Sequence, residues 1–352
     1  MKRIALAVCL LAIPLAAQDY KIALIGLGHS HTWGHLNRML AGGPVKLVGI
    51  AETVPELVAE AKKRGADVPF YADYKKMLDE LKPDIVWGFV ENNRHLEVVE
   101  ACAPRHIHVI FEKPLASTYE DARAIRKLAS QANILVLTNY QMAWWATNYA
   151  AKKLVEAGDI GKVWRMRGIV GHGGPGKAEG LNRYFFLWLT DPVQNGAGAL
   201  MDFGCYNALW AIWYKGLPQS VFAHADHLRP QEFPKVEDSA VMILSYEDGV
   251  GIFEGSWDLP HGYQDLELFG RNGSVYVTGS KVTLRKGKGE GQAMAADAPA
   301  PEMVGPTQYM TYCLRNHKPI EGLVALDINV SVVQVVEAAK QSIATGKPVA
   351  LR

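Results

Sequence analysis

The chain has 352 residues, 49% of them hydrophobic, and a formal net charge of +1 at pH 7. A chain of this length can form two domains, each with a sizeable core. Proteins that bind nucleic acids or anionic membranes neutralise phosphates with clustered Lys and Arg. The near-neutral charge gives no such footprint, so we expect neither nucleic acid nor membrane as a partner.

The first seventeen residues have the layout of a secretory signal peptide. Residues 1–3 are a basic start, residues 4–15 are apolar, and two alanines precede Gln18. The apolar run is shorter than the about 20 residues that span a bilayer, and no later run is long enough. A buried N-terminal strand is the alternative, but a complete strand follows at once. The sequence therefore predicts an exported protein, periplasmic or secreted, or a cytoplasmic one if the segment is retained.

The cysteines do not identify the compartment. Without Cys9, which lies in the signal segment, Cys102, Cys205 and Cys313 remain, an odd number with no close spacing. They make neither a disulfide framework nor a Cys-x-x-Cys metal or redox motif.

A glycine loop follows the first complete strand. Residues 20–25 are typical of a buried parallel strand, which stops at Gly26. Gly26 and Gly28 form a Gly-x-Gly motif. Apolar residues then recur at helical spacing, and a second strand over residues 45–51 ends at Glu52. This order indicates a dinucleotide-binding fold, with the pyrophosphate at the helix N-terminus and the carboxylate on a ribose diol. Because a carboxylate repels a 2′-phosphate, Glu52 favours NAD over NADP; a solvated acid at a strand end is the alternative.

Three histidines lie in or beside this loop. His31 stands where the third glycine is expected and threatens the close packing that glycine permits. His31 and His35 are one helical turn apart, as zinc ligands can be, but no acid or cysteine nearby in the sequence completes a set, so we expect no metal. We expect His29, Ser30 and His31 to contact the cofactor from the loop, with packing or a solvent-facing role as the alternative.

Strands and helices alternate as far as residue 138. We predict helices over residues 55–64, 74–81 and 119–129, and strands over residues 85–90, 106–111 and 134–137. Ser117 and Glu120 predict a capping box for the helix that begins near residue 119. The alternation indicates a doubly wound parallel sheet, and hence a Rossmann domain of the α/β class over residues 18–138.

The pattern changes from about residue 139. A helix over residues 144–156 precedes strands with period-two alternation over residues 163–170, 220–225, 240–246 and 249–255. This predicts an α+β domain over residues 139–352, with helices on one face of a largely antiparallel sheet. Residues 285–301 are biased in composition and predict a mobile loop, and residues 330–345 predict a helix.

Most of the tryptophans lie in this second half. Aromatic faces suit sugar rings, although packing in the core is the alternative for each of them. The residues considered are Trp144, Trp145, Trp188, Trp210, Trp213 and Trp257.

Two further motifs, with the glycine loop, resemble those of the Gfo/Idh/MocA oxidoreductases over nearly the whole mature chain. One is Glu112-Lys113-Pro114, and the other runs from Gly196 to Tyr206 with Asp202 inside it. Residues 92–95, Asn-Asn-Arg-His, complete the set. The resemblance implies a nucleotide-binding domain, a substrate domain whose open sheet mediates homo-oligomer formation, and nicotinamide in the cleft between them.

The resemblance also implies roles for single residues. Lys113 matches the catalytic lysine of the family, whose bond to the following proline is often cis, and Asp202 matches an acid that orients the substrate. Asn92, His95 and Glu112, together with that lysine, are implied to contact the cofactor. His172 and Trp188 are weaker candidates for substrate contacts.

Tyr206 stands where most family members carry histidine, as in the branch containing glucose-fructose oxidoreductase and dihydrodiol dehydrogenases. The resemblance implies that it takes the proton from a sugar hydroxyl as hydride passes to the nicotinamide. A phenol with a pKa of about 10 needs a shift of roughly three units to be half ionised near neutrality. A lysine ammonium about 4 Å away supplies roughly that much, so the role requires Lys113 close by.

Three functions remain open at this point. The first is NAD-dependent oxidation of a sugar, a polyol or a related carbohydrate hydroxyl. The second is a redox-neutral NAD-dependent glycosidase or sugar-converting enzyme that holds its cofactor tightly, since free NAD is scarce outside the cytoplasm. The third is a non-catalytic sugar- or nucleotide-binding protein in which His31 and Tyr206 mark lost chemistry.

Overall fold

The computed structural model describes residues 20–351. The predicted signal peptide, with Cys9, lies outside the described residues. Within them, no helix has both the length and the apolar character needed to cross a membrane.

The first domain is built on a six-stranded sheet in the order β3-β2-β1-β4-β5-β6, and every neighbouring pair is parallel. The strands are β1 (Tyr20–Ile25), β2 (Val45–Ala51), β3 (Phe70–Tyr71), β4 (Ile85–Gly88), β5 (His108–Glu112) and β6 (Val136–Asn139). The helices are α1 (Thr32–Leu40), α2 (Pro55–Lys63), α3 (Tyr74–Leu81), α4 (His95–Cys102) and α5 (Tyr119–Ala132). The predicted Rossmann sheet is therefore confirmed.

The strand sequences explain why this sheet is covered on both faces. β1 and β4 are nearly continuous apolar runs, as buried parallel strands require, and their side chains contribute to two separate core clusters. All parallel strands end at the same edge of the sheet, so the glycine loop after β1 and Glu112 at the end of β5 lie at one edge. That edge forms the candidate site.

One local prediction in this domain needs correction. The Ser117–Glu120 capping box is wrong: Thr118 is the N-cap of α5, and its side chain accepts a hydrogen bond from the Asp121 amide at 3.1 Å. Ser117 is buried instead. The same capping chemistry acts one residue further along.

The second domain is built on a nine-stranded sheet in the order β14-β13-β12-β11-β7-β10-β9-β8-β15. The strands are β7 (Val163–Gly171), β8 (Ser220–Asp226), β9 (Ser239–Tyr246), β10 (Gly249–Ser256), β11 (Tyr263–Gly270), β12 (Gly273–Val277), β13 (Val282–Lys286), β14 (Gln292–Met294) and β15 (Val349–Ala350). The helices are α6 (Ala146–Glu156), α7 (Asn182–Leu189), α8 (Ala199–Asp202), α9 (Gly204–Lys215), α10 (Pro306–Arg315) and α11 (Leu326–Thr345). Only β7 and β10 pair in parallel, so the largely antiparallel sheet is confirmed.

Helices α9 and α11 pack on one face of this sheet. The other face leaves Phe222, Val241 and Tyr276 exposed. Helix α11 also packs against α5, so the last long helix of the chain contacts both domains.

The predicted loop over residues 285–301 is only partly a loop. β13 extends to Lys286, and β14, within the run, pairs with it in antiparallel fashion. The predicted helix over residues 330–345 begins four residues earlier, at Leu326, and ends as expected at Thr345. The following Gly346 has a φ of +65°, a left-handed conformation that glycine adopts readily.

Candidate active site

The glycine loop begins with a residue whose backbone favours glycine, and Glu52 lies beside it. Gly26 has a φ of +79°, and a Cβ there would lie 3.0 Å from the Phe89 carbonyl oxygen, so a larger residue is excluded. The Glu52 carboxylate accepts hydrogen bonds from the Leu27 amide at 2.8 Å and from the Thr53 amide at 2.7 Å. Glu52 thus lies at the end of β2 beside the loop, where a ribose diol would contact it.

A cleft of about 210 Å³, partly open to solvent, runs along this edge of the sheet. It is lined by Gly26, Gly28, Glu52, Thr53, Tyr184 and Trp188, among others. The loop and the acid predicted to bind the cofactor therefore line one cavity.

Helix α7 of the second domain covers the glycine loop. Tyr184 Cβ lies 3.7 Å from where a Gly28 Cβ would be, and the Tyr184 hydroxyl donates to Glu56 of α2 at 2.6 Å. The His29 ring centroid lies 4.7 Å from that of Phe185 and 5.7 Å from that of Trp188. Trp188 borders the cleft beside the glycine loop, and the substrate contact expected for it stays a prediction.

The histidines converge on Glu112, which is 2% exposed. Its Oε2 lies 2.9 Å from His31 Nδ1, and its Oε1 lies 3.4 Å from His35 Nε2. Asn139 donates to Oε1 at 2.8 Å. Burial alone would raise the pKa of Glu112, but His31 and His35 outweigh burial and hold that pKa well below its usual value.

This cluster corrects two premises of the sequence analysis, namely that the His31 side chain disturbs the packing of the loop and that no acid lies near the histidines. The His31 side chain does not disrupt the loop, because it turns to Glu112. One donor atom each from His29, His31 and Glu112 lie within 4.8 Å of one another, so the acid absent from the local sequence comes from β5. Ser30 is exposed at the loop.

Lys113 follows Glu112 and forms a buried ion pair with Asp202 from the second domain. Its ammonium also donates to the Asp202 carbonyl oxygen at 3.0 Å, and the Lys113–Pro114 peptide bond is cis. Trp257 Nε1 donates to Asp202 Oδ2 at 2.8 Å. Burial disfavours the charged form of both side chains, but the attraction between the two charges is the larger effect. The pKa of Lys113 is therefore raised and the pKa of Asp202 is lowered. Asp202 thus holds the lysine in place, where the family resemblance implied that it orients the substrate.

Tyr206 lies within reach of this lysine. Lys113 Nζ is 5.2 Å from the Tyr206 ring centroid, and the Tyr140 ring packs edge-on against Tyr206 at 5.1 Å. The Tyr206 side chain is buried, and burial raises its pKa even though the lysine charge lowers it. Without cofactor, the phenol is therefore neutral near pH 7, and the shift towards ionisation expected from the lysine does not prevail.

His172 lies near Lys113, and the Phe203 ring contacts both of them. Its ring packs edge-on against Phe203 at 4.9 Å, and the Phe203 ring lies 5.9 Å from Lys113 Nζ. His172 Nδ1 accepts a hydrogen bond from the Gly174 amide at 3.1 Å. In the neutral ring the proton is therefore on Nε2, which can donate.

Asn92 and His95 support the site. Asn92 Nδ2 donates to Asn195 Oδ1 at 2.7 Å and so joins the end of β4 to the segment after α7. His95 is buried, and its ring stacks on Phe111 with the ring centroids 4.1 Å apart. His95 Nδ1 donates a hydrogen bond to the Leu115 carbonyl oxygen at 3.0 Å. Both were predicted to contact the cofactor, and the structure gives each of them protein partners.

The structure adds residues that the sequence did not single out as functional. Asn139 and Tyr140 were not named for the site, and Trp257 was considered only as a sugar-facing or core side chain. Of the other tryptophans, Trp144 donates to Asn139 Oδ1 at 2.8 Å, and Trp210 donates to Asn148 within the core. Asn139 could have been suspected, because it ends a strand beside the one that carries Glu112.

Comparison with known sequences identifies the family. The profile described as an oxidoreductase family with an NAD-binding Rossmann fold matches residues 20–140, and the GFO/IDH/MocA C-terminal domain matches residues 149–276. The chain belongs to the Gfo/Idh/MocA oxidoreductase family. The resemblance carried by the glycine loop, Glu112-Lys113-Pro114 and the motif around Asp202 is thereby confirmed.

Several characterised family members are similar to this chain. A levoglucosan dehydrogenase of Pseudarthrobacter phenanthrenivorans is 29% identical over 301 residues, 73% of each protein. A myo-inositol 2-dehydrogenase of Thermotoga maritima is 25% identical and covers 75% of this chain and 76% of its own length. The structure of the Caulobacter crescentus aldose-aldose oxidoreductase with glycerol has a TM-score of 0.80 at 22% identity, covering 95% of this chain and 100% of that one. At that identity the structural similarity concerns the fold.

Proposed function

We propose that this NAD-dependent oxidoreductase transfers hydride between the cofactor and a hydroxyl-bearing carbon of a sugar or polyol. The observation that carries the proposal is the buried Lys113–Asp202 pair with Tyr206 beside it, at the edge where the glycine loop and Glu52 lie. Two similar proteins are named for a sugar derivative and a polyol, levoglucosan and myo-inositol, which supports the substrate class.

The residues present fit a nicotinamide dinucleotide. The loop from Gly26 leads into the N-terminus of α1, and Glu52 lies beside it at the end of β2. We infer NAD as the preferred cofactor, since the Glu52 carboxylate would repel a 2′-phosphate. When bound, the nicotinamide accepts or gives the hydride at C4.

The protein residues divide the proton chemistry between them. Lys113, held by Asp202, places a fixed positive charge where the substrate oxygen and Tyr206 share negative charge during reaction. The neutral phenol of Tyr206 gives its proton to the carbonyl oxygen in the reductive direction. In the oxidative direction Tyr206 must first be ionised, which the charges of Lys113 and of oxidised nicotinamide both favour.

His172 completes the substrate side of the site. Its Nδ1 is occupied by the Gly174 amide, so the proton on Nε2 is available to a sugar oxygen. We assign to it a substrate-binding role, and no proton transfer.

A second function is supported by α7. This helix lies over the glycine loop and is joined to α2 through Tyr184 and Glu56. A cofactor beneath it would leave slowly, as a redox-neutral sugar-converting enzyme or glycosidase requires. Retained cofactor would also suit an exported protein, because the predicted signal peptide would take the chain away from the cytoplasmic NAD pool. We further propose that the exposed face of the nine-stranded sheet forms a homo-oligomer.

Cofactor content and turnover test these alternatives together. Protein purified under native conditions is denatured, and released NAD(H) is quantified; the native protein is then given a panel of sugars and polyols with added NAD. Net formation of NADH supports the dehydrogenase. Stoichiometric retained NAD(H) with sugar conversion but no net NADH supports the redox-neutral enzyme. A protein that neither contains nor binds NAD(H) contradicts both.

A further inference from the structure

We infer that His29, His31 and Glu112 form a binding site for a divalent transition-metal cation of the zinc class. One donor atom from each residue lies within 4.8 Å of the other two. His29 is 3% exposed and Glu112 is 2% exposed, whereas the His31 side chain is 29% exposed. A largely water-excluded trio with one accessible member provides both a binding site and an entry route for an ion.

The distance between the His31 and Glu112 ligand atoms lies close to that of a loaded site. Zinc bonds of about 2.0–2.1 Å at tetrahedral angles place two ligand atoms roughly 3.3 Å apart. His31 Nδ1 is 2.9 Å from Glu112 Oε2, so a small separation of these atoms admits an ion between them. His29 Nδ1 accepts a hydrogen bond from the His31 amide at 3.1 Å, so its lone pair is available to an ion only when that hydrogen bond is exchanged for coordination.

The ligand types select the class of cation. Two imidazoles and one carboxylate are a common three-ligand set for zinc that leaves one coordination position open. The same set suits manganese, iron, cobalt and nickel ions, whereas magnesium and calcium prefer ligands that are all oxygen. We therefore expect zinc or cobalt to bind far more tightly than magnesium.

A second layer of contacts holds the carboxylate in place. Asn139 Nδ2 donates to Glu112 Oε1 at 2.8 Å, and His35 Nε2 lies 3.4 Å from the same oxygen. Oε1 is thus held by protein, which leaves Oε2 for the ion once His31 turns from hydrogen bond to coordination. Hydrogen-bonded ligand carboxylates of this kind are typical of metal sites.

The alternative is that the trio is complete as a hydrogen-bonded network and binds no ion. In the present structure His31 contacts Glu112 directly, and the His31 amide donates to His29. The two accounts differ in a measurable way, because only the metal site takes up zinc with defined stoichiometry. Metal uptake does not depend on the proposed redox function, so the two can fail separately.

The experiment uses the full mature protein without a polyhistidine tag. After treatment with a chelator and dialysis, zinc and then cobalt are titrated in by calorimetry, and the visible absorption of cobalt reports its ligand geometry. We expect one ion per chain with micromolar or tighter affinity, and weak or no binding of magnesium. If neither zinc nor cobalt binds at concentrations about tenfold above this expected micromolar dissociation constant, the proposal is overturned.

Two variants and one control connect binding to these residues. His31→Ala removes the accessible ligand, and Glu112→Gln keeps the size of the buried one; each should weaken zinc binding by about 100-fold or more, exceeding the 10–100-fold typical of second-layer changes. His224→Ala, at an exposed histidine paired with Asp226 on β8, should bind zinc like the wild type. Unchanged binding in His31→Ala, or equal loss in the control, overturns the assignment even if the wild type binds zinc.

NAD binding is measured on the same samples. Zinc uptake without NAD binding would contradict the proposed function and leave the metal site standing. NAD binding without zinc uptake would do the reverse.

Discussion

Two buried carboxylates, Glu112 and Asp202, lie at the same edge of the parallel sheet and are compensated in different ways. Glu112 ends β5, and Asp202 pairs with the next residue, Lys113. Glu112 is surrounded by groups of its own domain, namely His31, His35 and Asn139. Asp202 reaches across from the second domain to Lys113, and Trp257 holds its other oxygen. The first cluster therefore belongs to one domain, whereas the second exists only when the two domains are assembled.

The difference shows how the fold builds a site between domains. A buried carboxylate is tolerated only when its charge is compensated and its oxygens are hydrogen-bonded. Glu112 meets this condition through histidines and an amide, and Asp202 meets it through a lysine and an indole. The interdomain cluster thus fixes the position of Lys113, to which we assign the positive charge beside the reacting oxygen.

Removing the lysine should have the largest effect. Lys113→Met leaves Asp202 buried without its counter-charge, which should lower the free energy of unfolding by about 3–5 kcal/mol. Turnover should fall by about 10³-fold, because the fixed positive charge at the reacting oxygen is lost. Steady-state kinetics and denaturant unfolding measure the two effects.

The double variant Lys113→Met with Asp202→Asn separates the effect on stability from the effect on turnover. It should recover part of the lost stability, because no charge remains unpaired, and none of the lost turnover. Recovery of turnover would contradict the role given to Lys113.

Removing the Tyr206 hydroxyl should have the next largest effect. Tyr206→Phe keeps the buried ring and its packing against Tyr140, so the fold and the affinity for NAD should be retained. Turnover should fall by about 10²-fold or more, as for loss of a general acid or base. Kinetics with calorimetric NAD titration provide the test, and near-normal turnover would rule out Tyr206 as the proton-transfer group.

The pH dependence should follow from the same residue. Burial raises the Tyr206 pKa, so the ionised form needed for oxidation is scarce near neutrality. Oxidation should therefore accelerate as pH rises, by up to about tenfold per unit, and reduction should not. Rate profiles in both directions measure this, and an oxidation rate independent of pH in the wild type would contradict it.

A smaller effect is expected at Trp257. Trp257→Phe keeps an aromatic ring but removes the hydrogen bond to Asp202, which is worth about 1.5–3 kcal/mol as a bond to a charged group. The looser Lys113–Asp202 pair should lower turnover by about tenfold. Trp210→Phe is the matched control: it removes a buried indole hydrogen bond to Asn148 and should reduce stability without reducing turnover per folded molecule. Equal turnover losses in the two variants would contradict a specific role for Trp257.

The smallest effect is expected at Glu52, outside both clusters. Glu52→Gln removes the charge that opposes a 2′-phosphate and should improve the affinity for NADP relative to NAD by about five- to tenfold. Fluorescence titration with both reduced cofactors measures the ratio. An unchanged ratio would contradict the choice of NAD on the basis of Glu52.

The sequence predicts the first domain well because its signals are local. The strand before Gly26, the acid at Glu52 and the alternation of strands and helices all lie within short windows, and the structure confirms the parallel sheet. The α5 cap moved by one residue, from Ser117 to Thr118, because both are acceptable cap residues and only the chain geometry decides between them.

The contacts of the site could not be read from local patterns. Glu112 and His31 form a hydrogen bond although they are 81 residues apart in the sequence, and Trp257 and Asp202 do so at a separation of 55 residues. Helix α7 lies in a stretch for which the sequence analysis predicts no helix, and its position over the glycine loop depends on how the two domains pack. Such pairings follow from the assembled fold, so the motifs draw attention to Glu112, Lys113 and Asp202 without showing what surrounds them.

The central claim is that hydride passes from the substrate to the nicotinamide with the positive charge of Lys113 beside the reacting oxygen, and single-turnover reduction of bound NAD tests it most directly. Wild-type protein and Lys113→Met, each saturated with oxidised NAD, are mixed with the most reactive sugar or polyol of the panel, and reduced nicotinamide is followed by absorbance. The account predicts rapid appearance of reduced cofactor in the wild type and a loss of about 10³-fold in the variant. Equal rates in the two proteins, or no reduction by the wild type with any sugar or polyol, would contradict it.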